Sequence, residues 1–261
     1  MDRISNILIP FDFSGPARRA LQYAIDFAGN RPEKRIKICF MQPVEDKQAL
    51  EAEFARIQSR LPKSFRARLS WTSLTPPSVE GLLACSKQQP TDLILMGTSG
   101  SDDPEGSTHT SQTVLASHCP VLVIPPGAPE DFQIRKIALV LGRNEIEDPK
   151  VLGTLLDVAR TFNARVQVLT IESKPGMYGY SEEEERNEEL LEYYLEDFYS
   201  HHVFIENPDV VEGIFDYAEE KEIDLLAILP RNHSQAGTPS EGRLTRILTL
   251  RSHTPLLAIE Q

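Results

Sequence analysis

A chain of 261 residues is long enough for two domains of ordinary size. Its hydrophobic content of 40% and charged content of 25% are those of a globular protein. A formal net charge of −12 argues against the clustered basic surface that nucleic-acid binding needs, but not against a small anionic ligand, which responds to local charge. No apolar run approaches the ~20 residues that cross a bilayer. The opening "MDRISNILIPFDFS" lacks the apolar core and cleavage site of a signal peptide, so a cytoplasmic protein without membrane contact is expected.

In chain order, Ile7–Phe11 reads as a strand. Pro16–Ala28 reads as an amphipathic helix with Ala20, Leu21, Ala24, Ile25 and Ala28 on one face. A strand at Lys37–Met41, a helix at Gln48–Leu61 and a strand at Phe65–Leu74 follow. Then come a helix at Ser78–Gln88, a buried strand at Leu93–Met96, a short helix at Gln112–Ser117 and a last strand at Val121–Ile124. The proline- and acid-rich "PPGAPEDFQ" (125–133) reads as a short exposed linker.

The order then begins again. "ISNILIPFDFS" is echoed by "IRKIALVLGRN", and "LQYAIDFA" by "LGTLLDVA", which places Asp26 on Asp157. "VEGLLACSKQQPTDLILMG" is echoed by "VEGIFDYAEEKEIDLLAIL", which places Asp92 on Asp224, and "CPVLVI" by "TPLLAI". Self-similarity on this scale implies a duplicated domain, here 1–127 and 134–261. The second copy adds an acidic helix at Glu182–Phe198, expected as a solvated face with docking as the other reading. Cys39, Cys85 and Cys119 have no metal spacing and are expected as buried free thiols.

Strands alternating with helices and carrying continuous apolar runs imply α/β architecture, a parallel sheet covered on both sides. Ligands bind such sheets at the carboxyl ends of the strands, which directs attention to the loops after Phe11, Met41 and Met96. In the first loop Ser14 can cap the following helix, with Pro16 in its first turn. Asp12 has two readings, acceptor for a ligand's ribose or base and Asx turn. His201 and His202 are adjacent and point to opposite sides of a strand, so they make no simple ligand pair. The chain has no dinucleotide fingerprint, Walker A sequence, nucleophile elbow or zinc-protease motif, and no acid–base or nucleophilic constellation emerges. In "LILMGTSGSDDPEGST" (93–108) a strand opens into a glycine- and hydroxyl-rich loop. Such a loop can present amides to phosphate, or simply turn.

The tandem order, "ILIPFDFS", "LILMGTSG" and "CPVLVIPP" together resemble the universal stress protein family over nearly the whole chain. The resemblance implies two five-stranded Rossmann-like domains of the adenine nucleotide alpha hydrolase type. It implies that they pair as a pseudo-dimer through "PVLVI" and "PLLAI". It also implies an adenine-nucleotide site, with ATP and Mg²⁺ as the cofactor, formed by Asp12, Met41, Gly97, Gly100, Ser107 and Thr108, with Gly106-Ser107 as the alternative alignment. Five or six residues follow Gly100 before that pair, where the family pattern has nine. They include Asp102, Asp103 and Glu105 and no Lys or Arg. In the second copy Gly142 replaces the acid, and Pro230 and Arg231 stand where the glycines would be. That copy reads as a scaffold, or as a modified anion site using Arg231 and Arg243. The function this implies is stress response through protein contact and small-ligand binding, with an adenine-nucleotide sensor as the alternative and an enzyme disfavoured. A further homodimer and a protein partner are both compatible with it.

Overall fold

The computed structural model describes residues 4–41, 47–74, 76–101, 103, 106–130, 132–142, 146, 148–173, 182–230 and 240–260, without side chains at 182–184, 240 and 241. The first half runs β1 (Asn6–Phe11), α1 (Gly15–Ala28), β2 (Arg35–Phe40), α2 (Lys47–Ser59), β3 (Arg68–Ser73), α3 (Val79–Gln88), β4 (Leu93–Gly97), α4 (His109–Ala116) and β5 (Val121–Ile124). The second runs β6 (Lys136–Val140), α5 (Val151–Phe162), β7 (Arg165–Glu172), α6 (Glu182–Leu195), a 3₁₀ turn at Glu196–Phe198, β8 (Tyr199–Glu206), α7 (Val210–Glu220), β9 (Leu225–Ile228), α8 (Ser240–Arg251) and β10 (Leu256–Ala258).

All strands lie in one 10-stranded sheet, ordered β3-β2-β1-β4-β5-β10-β9-β6-β7-β8. Pairing within each half is parallel, and the two halves meet at the antiparallel β5–β10 pair. Side-chain alternation sets the register there. Leu122 sits opposite Leu257 on one face, while Val121 and Val123 sit opposite Ala258 and Leu256 on the other. A one-residue slip would exchange the faces of every one of these buried groups. The same alternation divides β1 and β4, with Ile7, Ile9, Leu93 and Leu95 on one face and Leu8, Ile94 and Met96 on the other. Core residues of α1, α2, α5 and α6 cover the first face, and those of α3, α4, α7 and α8 the second.

The duplicated aspartates have the same local task. Asp92 accepts from the Ser5 and Asn6 amides, and Asp224 accepts from the Arg135 and Lys136 amides. Each carboxylate thereby fastens the start of the first strand of its half to the start of the fourth.

Several expectations shift. The strand expected from Phe65 begins at Arg68, because the Phe65 amide closes a turn on the Pro62 carbonyl. The short helix begins at His109 rather than Gln112, since Thr108 and Ser111 form a reciprocal cap. The acidic helix is not solvated all round. Asn187, Leu191 and Leu195 recur at a four-residue spacing on a buried face, and Asn187 accepts from the Ile146 amide. Cys39 and Cys85 are buried and Cys119 half-buried, all as free thiols, with burial pushing Cys39 up to about 12.

The linker is also less exposed than its composition suggests. Phe132 is buried against Tyr23, Phe27 and Phe162, with ring centroids 4.4, 6.4 and 5.0 Å away, and the Tyr23 hydroxyl donates to the Pro129 carbonyl. Its ring wedges between α1 and α5. Beside it, the buried Lys34 ammonium donates to the Ile4 carbonyl at 2.6 Å and lies 3.9 Å from Asp157, which accepts from the Ile4 amide at 2.9 Å. Burial outweighs the attraction of Asp157 and holds the Lys34 ammonium below its ordinary value of 10.5.

Two outcomes follow for stability. Phe132→Ala removes a ring shared by both halves and should destabilise the chain by about 3–5 kcal/mol, read from urea unfolding. For Lys34, the unfolded chain keeps its proton up to the ordinary lysine value while the folded chain releases it earlier. The stability advantage of the parent over Lys34→Met should therefore grow as pH rises toward 10.5, and a flat or falling difference would contradict the burial argument.

Candidate functional site

The first strand ends in "PFDFSG". The Asp12 carboxylate accepts from the Ser14 amide at 3.0 Å, and the Ser14 hydroxyl accepts from the Ala17 amide at 3.2 Å and caps α1. Asp12 thus makes the Asx turn while remaining exposed at the strand end. Next to it, the Met41 amide donates to the Phe11 carbonyl at 2.8 Å, which continues the β1–β2 ladder one residue beyond the strand. β4 ends at Gly97, packed so closely under α1 that an added Cβ would collide with the Pro16 carbonyl.

These three strand ends frame a cavity of about 310 Å³. It is lined by Asp12, Met41 and Gly97 together with Met96 and residues from the starts of α3 and α4, among them His109 and Thr110. The volume is near the lower end for small-molecule sites. Glu80, on the first turn of α3, is exposed and is not among the residues that line the cavity. Its own amide and the Ser78 hydroxyl hold its carboxyl below the usual carboxylate range.

Gly100, Ser107 and Thr108 do not line this cavity. Thr108 is occupied as the N-cap of α4, accepting from the Ser111 amide at 3.1 Å, and Ser107 accepts from the Gln112 side chain at 3.0 Å. Gly100 adopts φ +73°, with the Leu250 carbonyl 3.2 Å from where a Cβ would stand. The loop amides are largely committed. Thr98 donates to the Ile124 carbonyl, Gly100 to the Thr98 hydroxyl and Ser101 to the Leu250 carbonyl at 3.0 Å. Asp103 donates to the Ser101 hydroxyl and Gly106 to the Asp103 carbonyl. Leu250 belongs to the last turn of α8, whose carbonyls have no intrahelical donor, so Ser101 caps a helix of the other half. Among the described residues of the loop, the amides of Thr98, Gly100, Ser101, Asp103 and Gly106 are therefore engaged within the fold.

Sequence reading missed His109 and Thr110 because it started α4 three residues late. Thr108 followed three residues later by Ser111 was the available signal, a variant of the capping box. It missed Leu250 because no local pattern reports a partner so distant. Asp102 and Glu105 lie outside the described residues, and Asp103 is exposed. Arg231 also lies outside them, while Arg243 is exposed on α8. Gly142 follows β6 where Asp12 follows β1. Among the described residues no cluster of three or more His, Cys, Asp or Glu could hold a metal ion, and no helix is long and apolar enough to cross a membrane.

The universal stress protein family model matches residues 3–125. No curated protein matches. Among solved structures, a universal stress protein from Archaeoglobus fulgidus DSM 4304 is 14% identical with a TM-score of 0.62, over 99% of this chain and 97% of that one. A functionally unknown protein from Pseudomonas aeruginosa PAO1 is 14% identical with a TM-score of 0.61, over 98% and 92%. The cytoplasmic domain of a prokaryotic cation chloride cotransporter is 10% identical with a TM-score of 0.59, over 98% and 95%. At these identities the likeness shows a shared fold.

The two loop glycines should respond differently to substitution. Gly97→Ala forces α1 away from β4 and should cost about 3 kcal/mol or more. Gly100→Ala meets an unfavourable φ and the Leu250 carbonyl and should cost about 1–2 kcal/mol. Gly15→Ala, with open space around its Cβ, should be near neutral, and chemical unfolding of the three variants checks the order.

Proposed function

We propose, from the match of residues 3–125 to the universal stress protein family model, that the protein serves the stress response by binding, without turning over a substrate. The reading rests on one observation. Asp12, Met41 and Gly97, drawn from three separate strand ends, converge on a single cavity at the carboxyl edge of the sheet. That edge is where α/β sheets of this kind accept ligands. In this reading the cavity belongs to a first domain, 1–127. A second domain, 134–261, is a scaffold with no acid at the Asp12 position, and the two form a cytoplasmic pseudo-dimer through β5 and β10.

Protein contact is the other part of the reading. It is assigned to the outer face of α6, where Glu185, Glu189, Glu192 and Tyr193 are exposed, Tyr193 at 76% of its surface. Its partner is another protein or a second copy of the chain.

An adenine-nucleotide sensor using ATP and Mg²⁺ is the second reading. It is favoured by the same convergence of Asp12, Met41 and Gly97, the residues the family resemblance points to. The committed amides of Thr98, Gly100, Ser101, Asp103 and Gly106 count against it.

Thermal unfolding with adenosine, adenosine monophosphate or ATP·Mg²⁺ tests whether the cavity binds. A ligand at 100-fold its dissociation constant stabilises the folded state by about 2.7 kcal/mol. For a chain of this size that is a rise of roughly 5–10 °C in the midpoint. At least one of the three ligands should produce it, and an unmoved midpoint with all three at millimolar concentration would remove the small-ligand part of the reading.

A further inference from the structure

Charge is distributed unevenly along the chain. Residues 1–127 carry 14 Lys and Arg against 13 Asp and Glu, whereas residues 134–261 carry 13 against 24. Within the first half, the stretch 54–79 holds Arg56, Arg60, Lys63, Arg66 and Arg68 and no carboxylate. All five cations are exposed, from the last turn of α2 to the start of the edge strand β3. Arg68 sits beside the exposed Arg35 in the β2–β3 register, a like-charged neighbour that disfavours the pairing. Arg56 pairs with Glu53 on its own helix, and Arg66 closes a turn by donating to the Lys63 and Phe65 carbonyls. Arg35, Arg60, Lys63 and Arg68 make no ion pair among the described residues. Among those residues the fold leaves the strip uncompensated.

The strip borders an open groove of about 800 Å³. Its walls are α1 with Arg18 and Arg19, the turn with Pro62, Ser64 and Phe65, and the linker. The Arg66 amide donates to the Gly29 carbonyl, which fixes the turn against the end of α1. The buried part of the lining, Tyr23, Ile25 and Phe132, is aromatic and aliphatic. Asp26 and Glu130 also line the groove, and Asp26 accepts from the Gln22 side chain. These two acids balance Arg18 and Arg19, and the charge of Lys63 and its neighbours is left in excess.

The second half carries the complement. α6, "EEEERNEELLEYYL", has seven glutamates and one arginine. Asn187, Leu191 and Leu195 take its buried face. Glu185, Glu189 and Glu192, spaced by four and three residues, line an exposed one over about 10 Å. Tyr193 stands one turn on from Glu189 and is the most exposed large hydrophobic side chain among the described residues. A tyrosine ring flanked by carboxylates fits a groove with apolar lining and a cationic rim, where it also meets guanidinium groups. Core residues of α1, α2 and α6 cover the same face of the sheet, with α1 and α2 on one side of the β5–β10 join and α6 on the other. A two-fold relation between copies then makes both contacts at once.

We propose that two copies of the chain associate through this pair of surfaces. Tyr193 of each copy enters the groove of the other, and Glu189 and Glu192 face Arg18 and Lys63. The proposal rests on the reading of α6 as a contact face, and it names the partner and the surface that receives it.

Sedimentation equilibrium of the full chain, with unfolding midpoints in parallel, tests it. At about 100 μM protein in about 0.05 M salt the 29.3 kDa chain should be a dimer, and about 0.5 M salt should weaken it by about tenfold or more. Glu189→Lys with Glu192→Lys, and separately Arg18→Glu with Lys63→Glu, should each weaken association by about tenfold or more. All four side chains are exposed, so the midpoints should not move. Tyr193→Ala should weaken association without changing its salt dependence. Mixing the two charge-reversed variants should restore a dimer, because each then meets opposite charge at both contacts. A parent chain that stays monomeric in low salt would overturn the second copy as the partner while leaving α6 as a face for another protein. A dimer that only the α6 reversal weakens would overturn the groove as the receiving surface. A dimer that neither reversal weakens would overturn the proposal together with the self-contact part of the reading beneath it. Two monomeric variants that do not associate on mixing would overturn the pairing of these surfaces.

Discussion

The antiparallel contact of β5 with β10 is the constraint on which the remaining geometry depends. Its three residue pairs are almost wholly buried, and their alternation admits one register. Joining two parallel half-sheets this way hides two edges that would otherwise expose unpaired backbone. Only β3 and β8 remain as edges of the 10-stranded sheet. The join also turns the halves head to tail, so the carboxyl ends of their parallel strands face opposite ends of the molecule. Because α8 runs back against the direction of β10, its C-terminus arrives beside the loop that follows β4. The meeting of Ser101 with Leu250 is thus a consequence of sheet topology.

That meeting decides what the loop can be. A backbone amide has one hydrogen to give, and those of Thr98, Gly100, Ser101, Asp103 and Gly106 are already giving it. An anion that used the Ser101 amide would have to displace the cap of α8, and a buried carbonyl left without its donor costs about 1–3 kcal/mol. The two glycines have structural explanations independent of any ligand. Gly97 allows the close passage of Pro16, and Gly100 supplies a left-handed turn under Leu250.

On the opposite face, the two halves are held by an aromatic wedge and a buried charge. Phe132 fills the space between α1 and α5, as a linker residue with two apolar helices on either side must. Lys34 is retained among apolar neighbours because the Ile4 carbonyl and Asp157 compensate part of its desolvation, with the Phe27 ring 4.7 Å from the ammonium. The duplicated pair Asp26 and Asp157 has diverged accordingly. Asp26 bonds Gln22 on its own helix, whereas Asp157 reaches the amide of Ile4 in the other half.

Periodicity and repetition were enough to read the α/β class, the alternating elements and the chain written twice. These signals are local, carried by apolar runs such as "LILM" and "LLAI" and by small amphipathic helices such as α1. The strand ends bearing Asp12, Met41 and Gly97 were legible for the same reason, since the carboxyl edge of the sheet follows from strand direction. The state of the loop after β4 was not. Whether Ser101 offers its amide to a ligand or to Leu250 depends on which helix end the assembled sheet places beside it. The linker showed the same division. Its composition reads as exposed, yet Phe132 is buried once α1 and α5 close around it. The sequence by itself determined the elements, their order and the edge at which the strands end, because side-chain alternation and turn chemistry act over a few residues. Tertiary structure alone decided which hydrogen bonds and charges remain at that edge, because those depend on partners that only the fold brings within reach.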